Sequence, residues 1–81
     1  MVYLVNSMDW KEISKSKKVV RASDQRSCGN VIAEYNENII VIQGVEIKSR
    51  EYMIPKSKVD HYDGKEVYLS IPYDKLSEFD F

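Results

Sequence analysis

The sequence predicts a small all-β (mainly β) domain: a small β-barrel of about six short strands, with a short N-terminal helix and a C-terminal helical turn.

 

Three observations predict this class. After Lys17, apolar and polar residues alternate over short segments, which is the period of a half-buried strand. Turn signals such as Asp63-Gly64 separate these segments. Pro55 and Pro72 stand where strands end, and proline has no amide hydrogen to donate inside a paired ladder. A small sheet built this way protects its edges by curling into a barrel.

Length and composition indicate one soluble domain over residues 1–81. We expect its core to span about residues 17–76, with an N-terminal arm and a short helix over residues 1–16. The chain is 43% hydrophobic and 31% charged, with a formal net charge of −1. This balance gives no general attraction to nucleic acid or to an anionic membrane. No apolar run reaches the roughly 20 residues of a membrane span, and the start lacks the basic region of a secretory signal. The sequence therefore predicts a cytoplasmic protein without membrane insertion.

The N-terminal helix is predicted over residues 9–14. Asp9, followed three residues later by Glu12, resembles a capping box with a carboxylate in place of the usual hydroxyl. Trp10 and Ile13 are three residues apart and share one face of a helical turn. We therefore expect this apolar pair to pack on the sheet or to cover one end of the barrel.

The first three strands follow the helix. A strand over residues 19–22 leads through a polar turn to a second strand that begins at Gly29. Simple alternation along the second strand places Val31, Ala33 and Tyr35 on one face, so Tyr35 is expected in the core with its hydroxyl at the rim. The run Ile39 to Ile42 is apolar on both faces and predicts a central strand covered on both sides. Residues 45–50 fit either a strand edge or a loop.

The last strands are bounded by the prolines. Residues 52–54 form a short strand that Pro55 ends, which makes 56–57 a corner before the strand over residues 59–62. In the strand over residues 66–71, Val67, Leu69 and Ile71 point one way and Tyr68 points the other. Pro72 ends this strand, and one helical turn is predicted over residues 73–76.

This arrangement of residues resembles the PRC-barrel domain family over roughly residues 17–76. The resemblance is carried by a glycine at the second strand, an apolar third strand, a Tyr-x-Ile-Pro-x-Ser-x-Val segment and a Tyr-Asp-Gly-x-x-Val-x-Leu segment. The residues are Gly29, Val31, Ile39 to Ile42, Tyr52, Ile54, Pro55, Ser57, Val59, Tyr62, Asp63, Gly64, Val67 and Leu69. The first turn departs from the pattern, since Asp24 is followed by Gln25 where such domains often carry glycine.

The resemblance implies a compact β-barrel used as a docking or adaptor module. PRC-barrels occur in a photosynthetic reaction-centre subunit, in a ribosome-maturation factor and as small stand-alone proteins, notably in archaea, some of which are associated with cell division. No catalytic motif accompanies the fold. The implied function is a non-enzymatic protein-interaction module within a multiprotein assembly.

No residues form a recognisable catalytic, metal or cofactor site. His61 is the single histidine, and with Asp60 and Asp63 it offers too few ligands for a closed zinc site. Cys28 is the single cysteine, which excludes an internal disulfide, and a nucleophilic role would need His61 as its base. We therefore predict no cofactor.

A basic first third supports an alternative function. The cations there are Lys11, Lys15, Lys17, Lys18 and Arg21. They predict either a solvated helix surface or an RNA- or ribosome-associated face, with Asp9, Glu12 and Asp24 diluting the charge. Nucleic acid is the less expected partner.

Apolar residues at both termini exceed what a small core needs. The candidate protein-contact residues are Val2, Tyr3, Leu4, Val5, Tyr68, Phe79 and Phe81. They either fold back on the domain or contact another chain, for example by adding the first segment to a partner's sheet edge. A symmetric exchange would produce a homodimer.

Overall fold

The computed structural model describes residues 8–44 and 49–80. They form one helix and six strands: α1 (Trp10–Lys15), β1 (Val19–Arg21), β2 (Ser27–Tyr35), β3 (Asn38–Gln43), β4 (Arg50–Pro55), β5 (Val59–Tyr62) and β6 (Glu66–Leu69). Two 3₁₀ helices follow β4 and β6, at Lys56–Lys58 and at Tyr73–Phe79. The predicted mainly-β class with six short strands and a short N-terminal helix is confirmed.

All six strands belong to one sheet, in the order β4-β3-β2-β1-β6-β5. Neighbouring strands are antiparallel except for β1 and β6, which are parallel. Because β1 and β6 pair directly, the two ends of the chain's β region meet in the middle of the sheet. The strands β4 and β5 therefore stand at its two ends.

The connection between β4 and β5 forces the sheet to curl. In a flat sheet of six strands these two would lie about 24 Å apart, at five spacings of roughly 4.8 Å. They are joined by the three residues Lys56–Lys58, and three residues of 3₁₀ helix rise only about 6 Å. The sheet must therefore bend until its ends approach each other. The ladders of the described residues do not pair β4 with β5, so the sheet is not closed by hydrogen bonds.

Pro55 occupies the position that the sequence predicts. It is the last residue of β4, opposite Asn38, and β4 is an end strand whose outer side needs no partner inside the sheet. Its φ of −60° and ψ of 138° lead directly into the 3₁₀ helix. The amide of Lys56 then donates to the carbonyl of Glu37 at 2.7 Å, which fixes the corner against the β2–β3 turn.

The concave side of the sheet encloses the core. Its fully or nearly fully buried strand residues are Val20, Cys28, Val31, Ile39, Val41, Tyr52, Ile54, Val59, Val67 and Leu69. Trp10 and Ile13 of α1 and Leu76 of the C-terminal 3₁₀ helix belong to the same core. These flanking segments cover apolar side chains of the sheet and so shield them from water.

The predicted start of α1 is confirmed, whereas the predicted capping box is only half formed. Asp9 is the N-cap, and its Oδ1 accepts the amide of Glu12 at 3.2 Å. The side chain of Glu12 does not complete a reciprocal capping box, because its Oε1 accepts the hydroxyl of Ser16 at 3.0 Å. Trp10 and Ile13 are both buried on one face, as their spacing predicts.

Alternation fails along β2, and the expectation that Tyr35 lies in the core is wrong. Val31 pairs with Val41 and Ala33 pairs with Ile40, so Ile32 is an extra residue that forms a bulge. The bulge reverses the alternation beyond it, and Glu34, not Ala33, pairs opposite the buried Ile39. Tyr35 is 62% exposed.

Three other segments differ from their predictions. The strand predicted over residues 66–71 ends at Leu69, before Ile71, and the predicted single turn at residues 73–76 is a longer 3₁₀ helix that ends at Phe79. The outer face of β3 is only half covered, since Ile40 and Ile42 are partly exposed. Among the residues that the structure describes, no helix is long and apolar enough to cross a membrane.

Gly29 allows a close approach between the backbones of β2 and β3. Its φ is +117°, and a Cβ atom at this position would lie 2.1 Å from the carbonyl oxygen of Ile42. A side chain here would therefore be strained by its own backbone and would push β2 away from β3.

We predict that Gly29→Ala destabilises the domain by about 3 kcal/mol or more, because strain and the backbone clash add. Urea unfolding followed by circular dichroism measures the change. Ser27→Ala, at an exposed position of the same strand, is the matched control and should change stability by less than about 0.5 kcal/mol. Equal unfolding midpoints for the two variants would contradict the assigned backbone geometry.

Candidate functional site

Six polar and aromatic side chains gather on the convex side of β1, β6 and β5. In the parallel pair, Val20 lies opposite Val67 and both are buried, so the next residues, Arg21 and Tyr68, lie opposite each other on the outer side. We call this cluster the Tyr68 face, defined by Arg21, Asp60, His61, Asp63, Glu66 and Tyr68.

A bulge in β5 builds one half of the Tyr68 face. Val59 pairs with Leu69 and His61 pairs with Tyr68, so Asp60 is the extra residue. The imidazole of His61 stacks on the ring of Tyr68, with 4.5 Å between ring centroids and 11° between planes. Its Nδ1 lies 2.6 Å from Oδ2 of Asp60. The bulge thus lets two consecutive residues act on the same side of the strand.

Hydrogen bonds fix the other half. The hydroxyl of Tyr68 lies 3.1 Å from Oε1 of Glu66 and 3.3 Å from Oδ2 of Asp63. Nε of Arg21 donates to the same Oε1 of Glu66 at 3.0 Å, and its Nη1 donates to the carbonyl of Gln25 at 3.0 Å. The side chain of Tyr68 is therefore held by stacking of its ring on His61 and by hydrogen bonds of its hydroxyl to Glu66 and Asp63.

The two carboxylates that hold Tyr68 both favour the charged form. The pKa of Asp63 is lowered, first by the backbone amides of Glu66 and Lys65, which donate to its Oδ1 at 2.7 and 2.8 Å. The pKa of Glu66 is lowered chiefly by its hydrogen bond from Arg21. Hydrogen bonding by these carboxylates in turn raises the pKa of the Tyr68 phenol, with Glu66 as the largest cause.

A shallow depression of about 300 Å³ lies beside the stacked rings. It is lined by Ala22, Ser23, Gln25, Asp60, His61, Tyr68, Leu69 and Ser70. The lining combines the apolar residues Ala22 and Leu69 with two aromatic rings and one carboxylate. Such a surface can receive a side chain of a partner, whereas a deep enclosed cavity would be needed to bury a small ligand.

A second depression of about 270 Å³ lies between the sheet and the C-terminal 3₁₀ helix. Here the amide of Gln43 connects two phenols: its Nε2 donates to the hydroxyl of Tyr73 at 2.7 Å, and its Oε1 accepts from Tyr52 at 3.1 Å. The guanidinium of Arg26 lies 5.5 Å from the centre of the Tyr73 ring. These contacts attach the C-terminal helix to the sheet, so we interpret them as structural.

The predicted basic residues differ in their exposure. Lys11, Lys15 and Lys17 are exposed, whereas Lys18 and Arg21 are half-buried. Arg21 is paired with Glu66 and belongs to the Tyr68 face. The charge available to a phosphate backbone on this side is therefore smaller than the sequence suggests.

The predicted protein-contact residues are divided between surface, core and the segments not described. Tyr68 is half-buried on the outer side, as predicted. Phe79 packs partly against the hydrophobic core through the C-terminal 3₁₀ helix. Val2, Tyr3, Leu4, Val5 and Phe81 lie outside the described residues.

The thiol of Cys28 is unsuited to nucleophilic chemistry in the folded protein. Its residue is fully buried, and burial raises its pKa to about 11, so the thiol stays protonated near pH 7. Within residues 8–44 and 49–80, no group of three potential metal-ligating side chains comes together.

Comparison of the chain with protein-family models, with curated proteins and with solved structures finds no match.

Sequence reasoning identified Tyr68 and grouped His61 with Asp60 and Asp63, but it did not place these residues beside Tyr68. The outward position of Tyr68 could be predicted because Tyr68 lies between Val67 and Leu69, which point to the core. The partnership of Asp60 with His61 depends on a bulge, which simple alternation along β5 does not reveal. The pairing of Arg21 with Glu66 spans 45 residues and follows from the parallel pairing of β1 with β6.

We predict that Asp63→Asn destabilises the domain at pH 7 and that this loss shrinks as the pH is lowered. The folded protein lowers the pKa of Asp63, so its stabilising contribution is complete above the unfolded value of about 3.9 and disappears as the pH falls through the folded value. Urea unfolding at pH 7 and at pH 2.5 measures both losses.

Glu37→Gln provides the control for this experiment, because Glu37 is an exposed carboxylate in the β2–β3 turn. It should leave stability nearly unchanged at both pH values. A loss for Asp63→Asn that is as large at pH 2.5 as at pH 7 would show that the carboxylate charge does not stabilise the turn.

Proposed function

We propose that this chain is a non-enzymatic adaptor of PRC-barrel type, which binds protein partners through the Tyr68 face and pairs with itself. The observation that carries the proposal is the fixed position of Tyr68, stacked on His61 at 4.5 Å and hydrogen-bonded at its hydroxyl. Aromatic side chains held in one orientation lose little entropy on binding, and tyrosine is enriched among the residues that dominate interface energies.

The barrel assignment is part of this proposal. The short connection Lys56–Lys58 joins the two ends of the sheet, and the resulting curl is the shape that a nearly closed barrel needs. The proline at the end of β4 and the Asp63-Gly64 turn belong to the segments on which the family resemblance rests.

The local chemistry favours docking over turnover. The Tyr68 face has a shallow depression and charged groups that already bind one another, such as Arg21 with Glu66. Groups satisfied in this way present a preformed surface at low cost in reorganisation. In keeping with the family resemblance, we propose a cytoplasmic multiprotein assembly, such as that of cell division, as the setting.

An RNA- or ribosome-associated role is the second candidate. Its support is the exposure of Lys11, Lys15 and Lys17 along and after α1. Binding of mixed RNA in a gel shift at low salt, weakened by replacing these lysines, would favour this role, since phosphate contacts are strongest at low ionic strength.

We predict that a random-peptide display selection against the folded domain yields binders that depend on Tyr68. These binders should lose at least tenfold in affinity for Tyr68→Ala, because the ring supplies the rigid contact. Tyr35→Ala is the matched control, since it removes an exposed tyrosine from another part of the sheet. Binders unaffected by Tyr68→Ala would move the docking surface elsewhere.

Self-pairing is tested separately by sedimentation velocity between about 5 and 500 µM, which brackets weak and moderate dimers. We predict a concentration-dependent dimer for the full chain and a monomer after removal of residues 1–5, which carry the apolar segment Val2 to Val5. Circular dichroism of the shortened chain verifies that it still folds. A full chain that stays monomeric at the highest concentration would rule out self-pairing.

A further inference from the structure

We infer that the depression on the Tyr68 face binds an arginine side chain of a basic peptide segment in the partner. This inference rests on the proposed docking function and adds the chemistry of the partner to it. Three observations support it: the negative charge of the Tyr68 face, the two aromatic residues that line the depression and the unused hydrogen-bonding capacity of Asp60.

The six residues that define the Tyr68 face carry a negative formal charge, and Asp60 is the carboxylate among them that lines the depression. Of the six residues that define the face, three are carboxylates and one is an arginine, and hydrogen bonds keep Asp63 and Glu66 in their charged form. Arg21 is neutralised by its contact with Glu66. The remaining carboxylate charge attracts a cation, although the whole chain has a formal net charge of only −1.

Asp60 is the group that would bind this cation. Its side chain is 62% exposed and lines the depression. Oδ2 is engaged by His61, whereas Oδ1 has no hydrogen bond within the described part of the chain. A carboxylate with one free oxygen at the edge of a depression can accept from a guanidinium N–H without breaking an existing contact.

The aromatic lining favours arginine over lysine. The rings of His61 and Tyr68 are stacked nearly parallel, with 11° between their planes, and both residues line the depression. A guanidinium group is planar, stacks on aromatic rings and is more weakly hydrated than an ammonium group. An arginine can therefore contact the rings and the carboxylate of Asp60 at the same time, which the compact ammonium of lysine does less well.

The experiment titrates the full-length, ¹⁵N-labelled protein with a blocked Gly-Ser-Gly-Arg-Gly-Ser-Gly peptide at pH 7.5 and low salt, followed by NMR. Matched peptides carry citrulline, which keeps the shape without the charge, or lysine in place of arginine. We expect saturable shifts centred on His61, Tyr68 and Leu69, with the arginine peptide binding about three- to tenfold more tightly than either analogue.

Variants separate the contributions. Asp60→Asn and Tyr68→Ala should each weaken arginine binding about three- to tenfold, whereas Glu37→Gln and Tyr35→Ala, which lie outside the face, should not. Equal binding of the citrulline peptide, or no loss on Asp60→Asn, would overturn the inference. Peptide-display binders that need Tyr68 but contain no arginine would overturn it as well, while leaving the proposed docking function intact.

Discussion

The three-residue connection between β4 and β5 is the constraint that shapes the molecule. It joins the two end strands of a six-stranded sheet, and because it is so short the sheet must curl strongly. The curl gathers the inner side chains into one core and turns the other sides of β1, β6 and β5 outward. Pro55 makes the connection compatible with the sheet, since it ends β4 without leaving an unpaired amide.

Two bulges in the curled sheet, at Ile32 and at Asp60, change the direction of neighbouring side chains. The extra residue Ile32 allows β2 to bend and turns Glu34 toward the interior edge, where its carboxylate pairs with Lys56. The same lysine lies 5.7 Å from the centre of the Trp10 ring. Lys56, in the connection between β4 and β5, therefore contacts both Glu34 of β2 and Trp10 of the N-terminal helix. The bulge at Asp60 has a comparable effect on the convex side, where it brings a carboxylate to His61.

The sequence predicted features that depend on local chemistry. The N-cap at Asp9, the strand end at Pro55 and the turn at Asp63-Gly64 follow from side-chain hydrogen bonding and from backbone restriction, which act over a few residues. It did not predict the exposure of Tyr35, because a bulge shifts alternation by one residue and leaves no clear mark in composition. The site was likewise predictable only in part: Tyr68 follows from alternation, whereas its contact with Glu66 and Arg21 depends on long-range pairing.

The buried thiol of Cys28 can be used to detect local opening of the sheet around β2. Its sulfur is enclosed between strands and stays protonated at neutral pH, so a thiol-modifying reagent reaches it only when β2 separates from its neighbours. The rate of modification then measures how often this part of the sheet opens. The same protection prevents a disulfide cross-link between folded copies of the chain, because Cys28 is its single cysteine.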